Sequence, residues 1–109
     1  MIVRIWHGWA TGENAEAYER LVDGTIVPGI IERRVPGLRS VEVLRRRDRP
    51  GAEVEFVTVM RFDDWAAVEA FAGPGGTTSV VPAEARKLLD RFDEHSQHYD
   101  VVGTHEAAS

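Results

Sequence analysis

His7 and Trp9 fall on the same face of the opening segment MIVRIWHGWA, which alternates like a strand. An imidazole held beside aromatic walls can take a proton from a phenol or an activated carbon, because a general base works best with a pKa near ambient pH. The competing reading is a structural histidine bonded to a neighbour. His98 and Asp100 share one face of the closing strand, with Tyr99 on the other. If that strand lies beside the first, His98 or Asp100 approaches His7 from the side. An Asp that accepts from a His fixes its tautomer and raises its basicity, so the pair is a better base than His alone.

Walls for a pocket come from Glu53 to Phe71, EVEFVTVMRFDDWAAVEAF. Val54, Phe56, Thr58, Met60 and Phe62 line one face of a strand. The period then switches to helical, with Trp65, Val68, Phe71 and Ala72 following a cap at Asp63 or Asp64. The junction gathers Met60, Phe62 and Trp65 at a strand's carboxyl end, where open sheets build pockets. Trp6, Trp9, Tyr18 and Thr58 complete the candidate substrate-binding set; ordinary core packing is the plainer account of each.

Other chemistry is less well served. Asp93, His95 and His98 are metal-ligand types, but the two histidines suit a metal only on a helix, and this segment runs into a strand, so no metal is expected. Thr77, Thr78 and Ser79 lack a nucleophile turn. Gly73, Gly75 and Gly76 match no phosphate loop and fit a lid over the pocket better. Arg33, Arg34, Arg39, Arg45, Arg46, Arg47 and Arg49 concentrate positive charge on one region, as a solvated hairpin edge does.

The chain of 109 residues is about one domain, and a domain of this size buries only roughly 65% of its unfolded surface, so a partner subunit would help it. Eighteen acidic against 13 basic residues, net −5, disfavours nucleic acid or an anionic membrane as partner. With no cysteine there is no disulfide, thiolate nucleophile or cysteine-bound metal. The amino terminus starts as a strand without a basic leader or long apolar run, which makes cytoplasmic the default.

The elements that must position these residues read as follows. A strand from Ile2 to Trp9, with large groups on both faces, is central. Tyr18, Leu21, Val22, Ile26 and Ile30 form one apolar stripe of a helix reaching about Arg34, with a kink between Asp23 and Gly29 from Gly24 and Pro28. Pro36-Gly37 starts a strand from Leu38 to Arg47, and Asp48 to Ala52 turns the chain back. After the second helix, Pro82 opens a short third one in which Ala85, Leu88, Leu89 and Phe92 share a face. The last strand is His98 to Val102. The order is βαββαβ, the α+β ferredoxin-like unit, with an antiparallel sheet ordered 4-1-3-2. One domain spans 1–103, and 104–109 is a tail expected to be disordered. Helices cover one sheet face; the bare other face predicts a two-fold homodimer.

The stretches IVRIWHGWA, AYERLVDGTIVPGI, EFVTVMRFDDWAAVEAFAG and VVPAEARKLLDRFDEHSQHYDVV together resemble the antibiotic biosynthesis monooxygenase domain family, from about Met1 to Gly103. The resemblance implies a dimeric α+β barrel. It also implies a cofactor-independent monooxygenase, an oxidoreductase that deprotonates an aromatic or polyketide-like substrate. A cyclase or isomerase using the same base, and a noncatalytic ligand-binding dimer, are the alternatives. Polyketide oxygenases of this family carry an Asn in the third strand and a Trp at its junction with the helix. Here those places hold Thr58 and Phe62, and Trp65 lies three residues on. The haem-degrading branch needs a first-strand Asn, the same Trp and an iron-ligating His in the helical region. His7 stands near the first place, and no His lies between Asp63 and Phe92, so haem degradation is disfavoured.

Overall fold

The structure, a computed structural model, describes residues 1–48 and 51–108. Its elements are β1 (Ile2–Thr11), α1 (Ala15–Leu21), a π-helical segment (Val22–Ile26), α2 (Val27–Glu32), β2 (Leu38–Arg45), β3 (Glu53–Phe62), α3 (Trp65–Ala72), α4 (Ala83–Leu88), β4 (Leu89–Phe92) and β5 (Gln97–Asp100). The antiparallel sheet is ordered β2-β3-β1-β4, with β5 also on β1. The expected α+β fold and strand order are therefore present, with the fourth strand in two pieces.

That division corrects the sequence reading, in which Leu89 and Phe92 belonged to the third helix. Leu89 is extended (φ −91°, ψ 135°), and Leu89–Phe92 pairs with the edge of β1 opposite Gly8–Ala10. The exposed ladder of a central strand demands partners, and pairing there overrides a local helical spacing. Between β4 and β5 the chain leaves the ladder and bonds the glycine-rich loop instead: Ser79 N–H donates to Glu94 O (2.9 Å) and Ser96 N–H to Thr77 O (2.8 Å). The chain rejoins β1 at Gln97, one residue before the predicted start, and β5 ends at Asp100.

The break expected around Gly24 and Pro28 takes a specific form. Val27 N–H donates to Val22 O, five residues back, so the helix widens by one residue through Val22–Ile26. A proline ring inside a helix collides with the carbonyl four residues earlier and offers no N–H, and the widening just before Pro28 relieves that collision. The Asp64 carboxylate caps α3, accepting from Ala67 N–H at 2.9 Å. β2 stops at Arg45, two residues short of the predicted end. In the turn that follows, Arg49 and Pro50 lie outside the described residues.

Two apolar clusters fill the space between sheet and helices. One gathers Ala10, Tyr18, Val22, Val54, Phe56, Ala85 and Leu89; the other gathers Val35, Met60, Phe62, Ala67, Val68 and Phe71. Directly opposed residues in an antiparallel pair share a face, so the register fixes which side chains meet. Arg4↔Met60 and Trp6↔Thr58 point under the helices, whereas Ile5↔Val59 and His7↔Val57 point away. β1 is thus central in the sheet but covered on one side only. The other side presents Val3, Ile5, Trp9, Val57 and Val59, with Leu44 46% and Tyr99 55% exposed.

The arginines around β2 are mostly engaged within the chain. Arg39 pairs with Asp63 (2.5 Å), Arg46 with Glu55 (3.4 Å), and Arg45 bridges Glu16 and Glu19 of α1 at 2.8 and 2.9 Å. Exposed pairs of this kind add little stability, but they orient α1 over the sheet. No helix among the described residues is long and apolar enough to cross a membrane.

Candidate functional site

A cavity opens at the seam between the two clusters. Arg4, Trp6, Thr58 and Met60 form its sheet side, Tyr18, Val22 and Ile26 its helical roof, and Phe71, Val81 and Ser96 close its ends. It offers about 60 Å³ to the centre of a water molecule within about 500 Å³ of empty space that includes its mouth. The enclosed part is smaller than the ~150 Å³ cavity that holds a benzene, so it takes one ring at most and the rest of a fused-ring ligand must lie in the mouth, with aromatic faces on several sides.

Of the predicted substrate-binding residues, Trp6, Tyr18, Thr58 and Met60 line this cavity. Trp6 is fixed by its indole N–H, which donates to Asp93 O at 2.9 Å, and its ring lies against Phe92. The other three lie elsewhere. Phe62, fully buried, packs on Phe71 (ring centroids 6.0 Å apart) inside the second cluster. Trp65, 38% exposed, leans edge-on against His98 at 4.9 Å outside the cavity. Trp9 projects from the opposite sheet face, stacked on His7 (5.9 Å, 13°), with the Arg91 guanidinium 3.9 Å above its ring.

The structure does not bring His7 together with His98 or Asp100. His7 lies on the open face, and its partner is Asp93: Nδ1 is 2.7 Å from Oδ2, and the same oxygen accepts the His7 backbone N–H at 2.9 Å. His98 opposes Arg4 and Asp100 opposes Ile2, which places both on the helix side. Asp100 is exposed there, whereas His98 Nε2 stands 3.0 Å from Arg4 Nη1. An arginine donates only, so His98 is neutral there, with Nε2 accepting. Asp93 and His98 serve different sheet faces and His95 is exposed; no group of three potential metal ligands occurs among the described residues.

Burial, and then the charge of Arg4, hold the His98 pKa below its ordinary 6.5. The fold therefore favours the neutral imidazole, and the unfolded chain takes up more protons as the pH drops through 6.5. Stability should be level above that pH and fall as His98 is forced to charge beside Arg4. His98→Gln keeps an acceptor for Arg4 but cannot titrate. Urea midpoints above and below pH 6.5 should show a smaller acid loss in the variant; equal losses would free His98 of this role.

Arg4 was not singled out from the sequence, nor were Phe71 and Ser96 as cavity residues. For Arg4 a signal existed: it alternates with Trp6 and Gly8 on one face of a central strand, where a charge is out of place. It is 3% exposed, and burial pulls its pKa down to about 10. Burial also pushes the Tyr18 phenol up to about 12, leaving it a neutral donor.

No protein-family model and no curated protein matches the sequence. Solved structures do match in shape. A Deinococcus radiodurans protein classed as an antibiotic biosynthesis monooxygenase superposes with a TM-score of 0.68 at 16% identity, covering 100% of both chains. A variant of SnoaB, a cofactor-independent oxygenase from Streptomyces nogalater, gives 0.60 at 22% over 94% of this chain and 95% of that one. Protein SO0527 from Shewanella oneidensis gives 0.62 at 23% over 90% and 87%. The fold is that of the antibiotic biosynthesis monooxygenases. Within that fold, the cavity of this chain lies between helices and sheet and holds Thr58 and Met60 in mid-strand, with Phe62 withdrawn into the core.

Proposed function

We propose that the chain is a small oxygenase that takes an apolar aromatic molecule into the cavity between sheet and helices and oxidises it with dioxygen. The supporting observation is the cavity itself, with walls of Trp6, Tyr18, Met60 and Phe71 in a fold shared with oxygenases. A methylene flanked by aromatic rings and conjugated to a carbonyl loses a proton to give an electron-rich enolate. The enolate passes electrons to dioxygen, a carbon–peroxide bond forms, and its O–O bond breaks to leave a carbonyl and one water. The substrate supplies every electron. Of the predicted bases, His98 and Asp100 share the cavity's side of the sheet, and His98 is the one beside a cavity residue, Arg4. Once the substrate's oxygen takes over the Arg4 N–H, His98 Nε2 is free to hold the proton, and the apolar walls desolvate the enolate.

Oxygen-electrode measurements with anthrone-like and quinol substrates test this reading. Consumption should be accelerated, and His98→Gln should slow it by about 100-fold, the ordinary contribution of a general base. Absent acceleration overturns the reading, and product formed equally fast under argon replaces it with a proton-transfer enzyme.

The same proposal includes a homodimer joined through the open sheet face, where Val3, Ile5, Trp9, Val57 and Val59 make an apolar surface that a lone subunit leaves wet. Sedimentation velocity should give twice the chain mass. Val57→Lys, charged at the centre of that face, should give the single mass with an unchanged circular dichroism spectrum. A wild-type chain that sediments as a monomer removes the dimer.

A further inference from the structure

Arg4 is a buried cation with no carboxylate partner among the described residues. Its Nη1 donates to Gly76 O and contacts His98 Nε2 at 3.0 Å, and its Nη2 donates to Thr78 O at 3.0 Å. These partners are two carbonyls and a neutral ring. Among the described residues no carboxylate pairs with Arg4, and none lines the cavity. Carbonyl dipoles and the Phe71 ring, 5.4 Å from the guanidinium carbon, relieve part of the cost of burial. Arg4 nevertheless lines the apolar cavity as a cation that no acid neutralises among the described residues, a costly arrangement unless an anion arrives. The guanidinium has five N–H groups, and its Nε–H is without a protein acceptor among the described residues.

We propose that the cavity's ligand is bound as an aromatic oxyanion, a phenolate or enolate, with Arg4 as its counter-charge. This rests on the oxygenase reading and goes further: Arg4 makes the substrate more acidic inside the protein, so a weak base is sufficient. A neutral histidine beside it is then appropriate, since a strong base would be protonated in solution before substrate arrived. The rival role, a tether that pins the glycine-rich loop through Gly76 and Thr78, accounts for two of the N–H groups and predicts no preference for charge.

The sign of one measurement separates them. An apolar cavity alone disfavours an anion and raises the pKa of a bound phenol, whereas a nearby cation lowers it. 4-Nitrophenol has a single ring and a coloured phenolate, so its ionisation is read by absorbance at saturating protein. Its apparent pKa should drop by about one unit, a tenfold preference for the phenolate. Arg4→Met should abolish or reverse the shift, Arg4→Lys should keep part of it, and Thr58→Phe, which fills the cavity, should remove binding. An unchanged or raised pKa in the wild type, no binding, or a shift that survives Arg4→Met overturns the inference; the wild-type arm stands even if a variant misfolds. A lowered pKa with no oxygen consumption for any substrate overturns the oxygenase alone, and oxygen consumption with an unshifted nitrophenol overturns the counter-charge alone.

Discussion

Phe62→Ala should cost about 3–5 kcal/mol of folding stability, the range for emptying a fully enclosed phenylalanine site. The ring is 0% exposed and packs against Phe71 among Val35, Met60, Ala67 and Val68. These neighbours come from the turn before β2, from β3 and from α3, so collapse into the void would require three separate segments to shift together. Urea denaturation should show a lower midpoint with an unchanged slope, since the surface exposed on unfolding stays nearly the same. Trp65→Ala, at a side chain already 38% exposed, should cost much less. If the two variants lose equal stability, Phe62 is not the centre of the second cluster.

That contrast shows how far the sequence could be read. Alternation in EVEFVTVMRF put Val54, Phe56, Thr58, Met60 and Phe62 on one face of β3, which the structure turns inward, and the switch to helical spacing placed the strand–helix junction within a residue or two. Inner side is a coarser property than cavity wall. Whether an inward residue meets empty space depends on where the helix axis runs. The π-helical widening at Val22–Ile26 helps decide that, by changing the course of the helix above Thr58 and Met60. Gly24 and Pro28 announced a disturbance but not its geometry.

The histidines were legible as singular and illegible as partners. A slip of one residue in register transfers a side chain to the other face of a sheet. Nothing in HSQHYDVV says whether His98 stands opposite Arg4 or opposite Ile5; the observed pairing is Arg4↔His98, which puts His98 under the helices and His7 on the far side. Asp93 captured His7 because the chain leaves the ladder between β4 and β5, an irregularity that smooth periodicity conceals. The charged residue on the inner face of β1 was visible in the alternation, yet it takes three-dimensional neighbours to show that no acid among the described residues pairs with Arg4.

Gly8→Ala is the substitution that should reach the cavity without touching it. A Cβ at Gly8 would lie 2.6 Å from Trp6 Cη2, 2.9 Å from Cζ3 and 3.2 Å from Leu89 Cδ2. Gly8 follows Trp6 by two residues on the same strand face, and the indole lies flat across the space where a side chain would be. The ring cannot simply lift, because its N–H is held by Asp93 O and its edge by Phe92. It must give up that hydrogen bond or swing into the cavity it lines. Overpacking of this kind costs about 1–3 kcal/mol. Displacing an aromatic wall should also weaken 4-nitrophenol binding by about tenfold, a loss of about 1.4 kcal/mol. Gly24→Ala is the matched control: a Cβ there meets nothing within 4 Å, so stability should hold or rise by about 0.4–1 kcal/mol, and binding should not change. Equal binding by Gly8→Ala and wild type would mean that Trp6 yields freely, and an indole that yields freely cannot be what orients a ring between Arg4 and Tyr18.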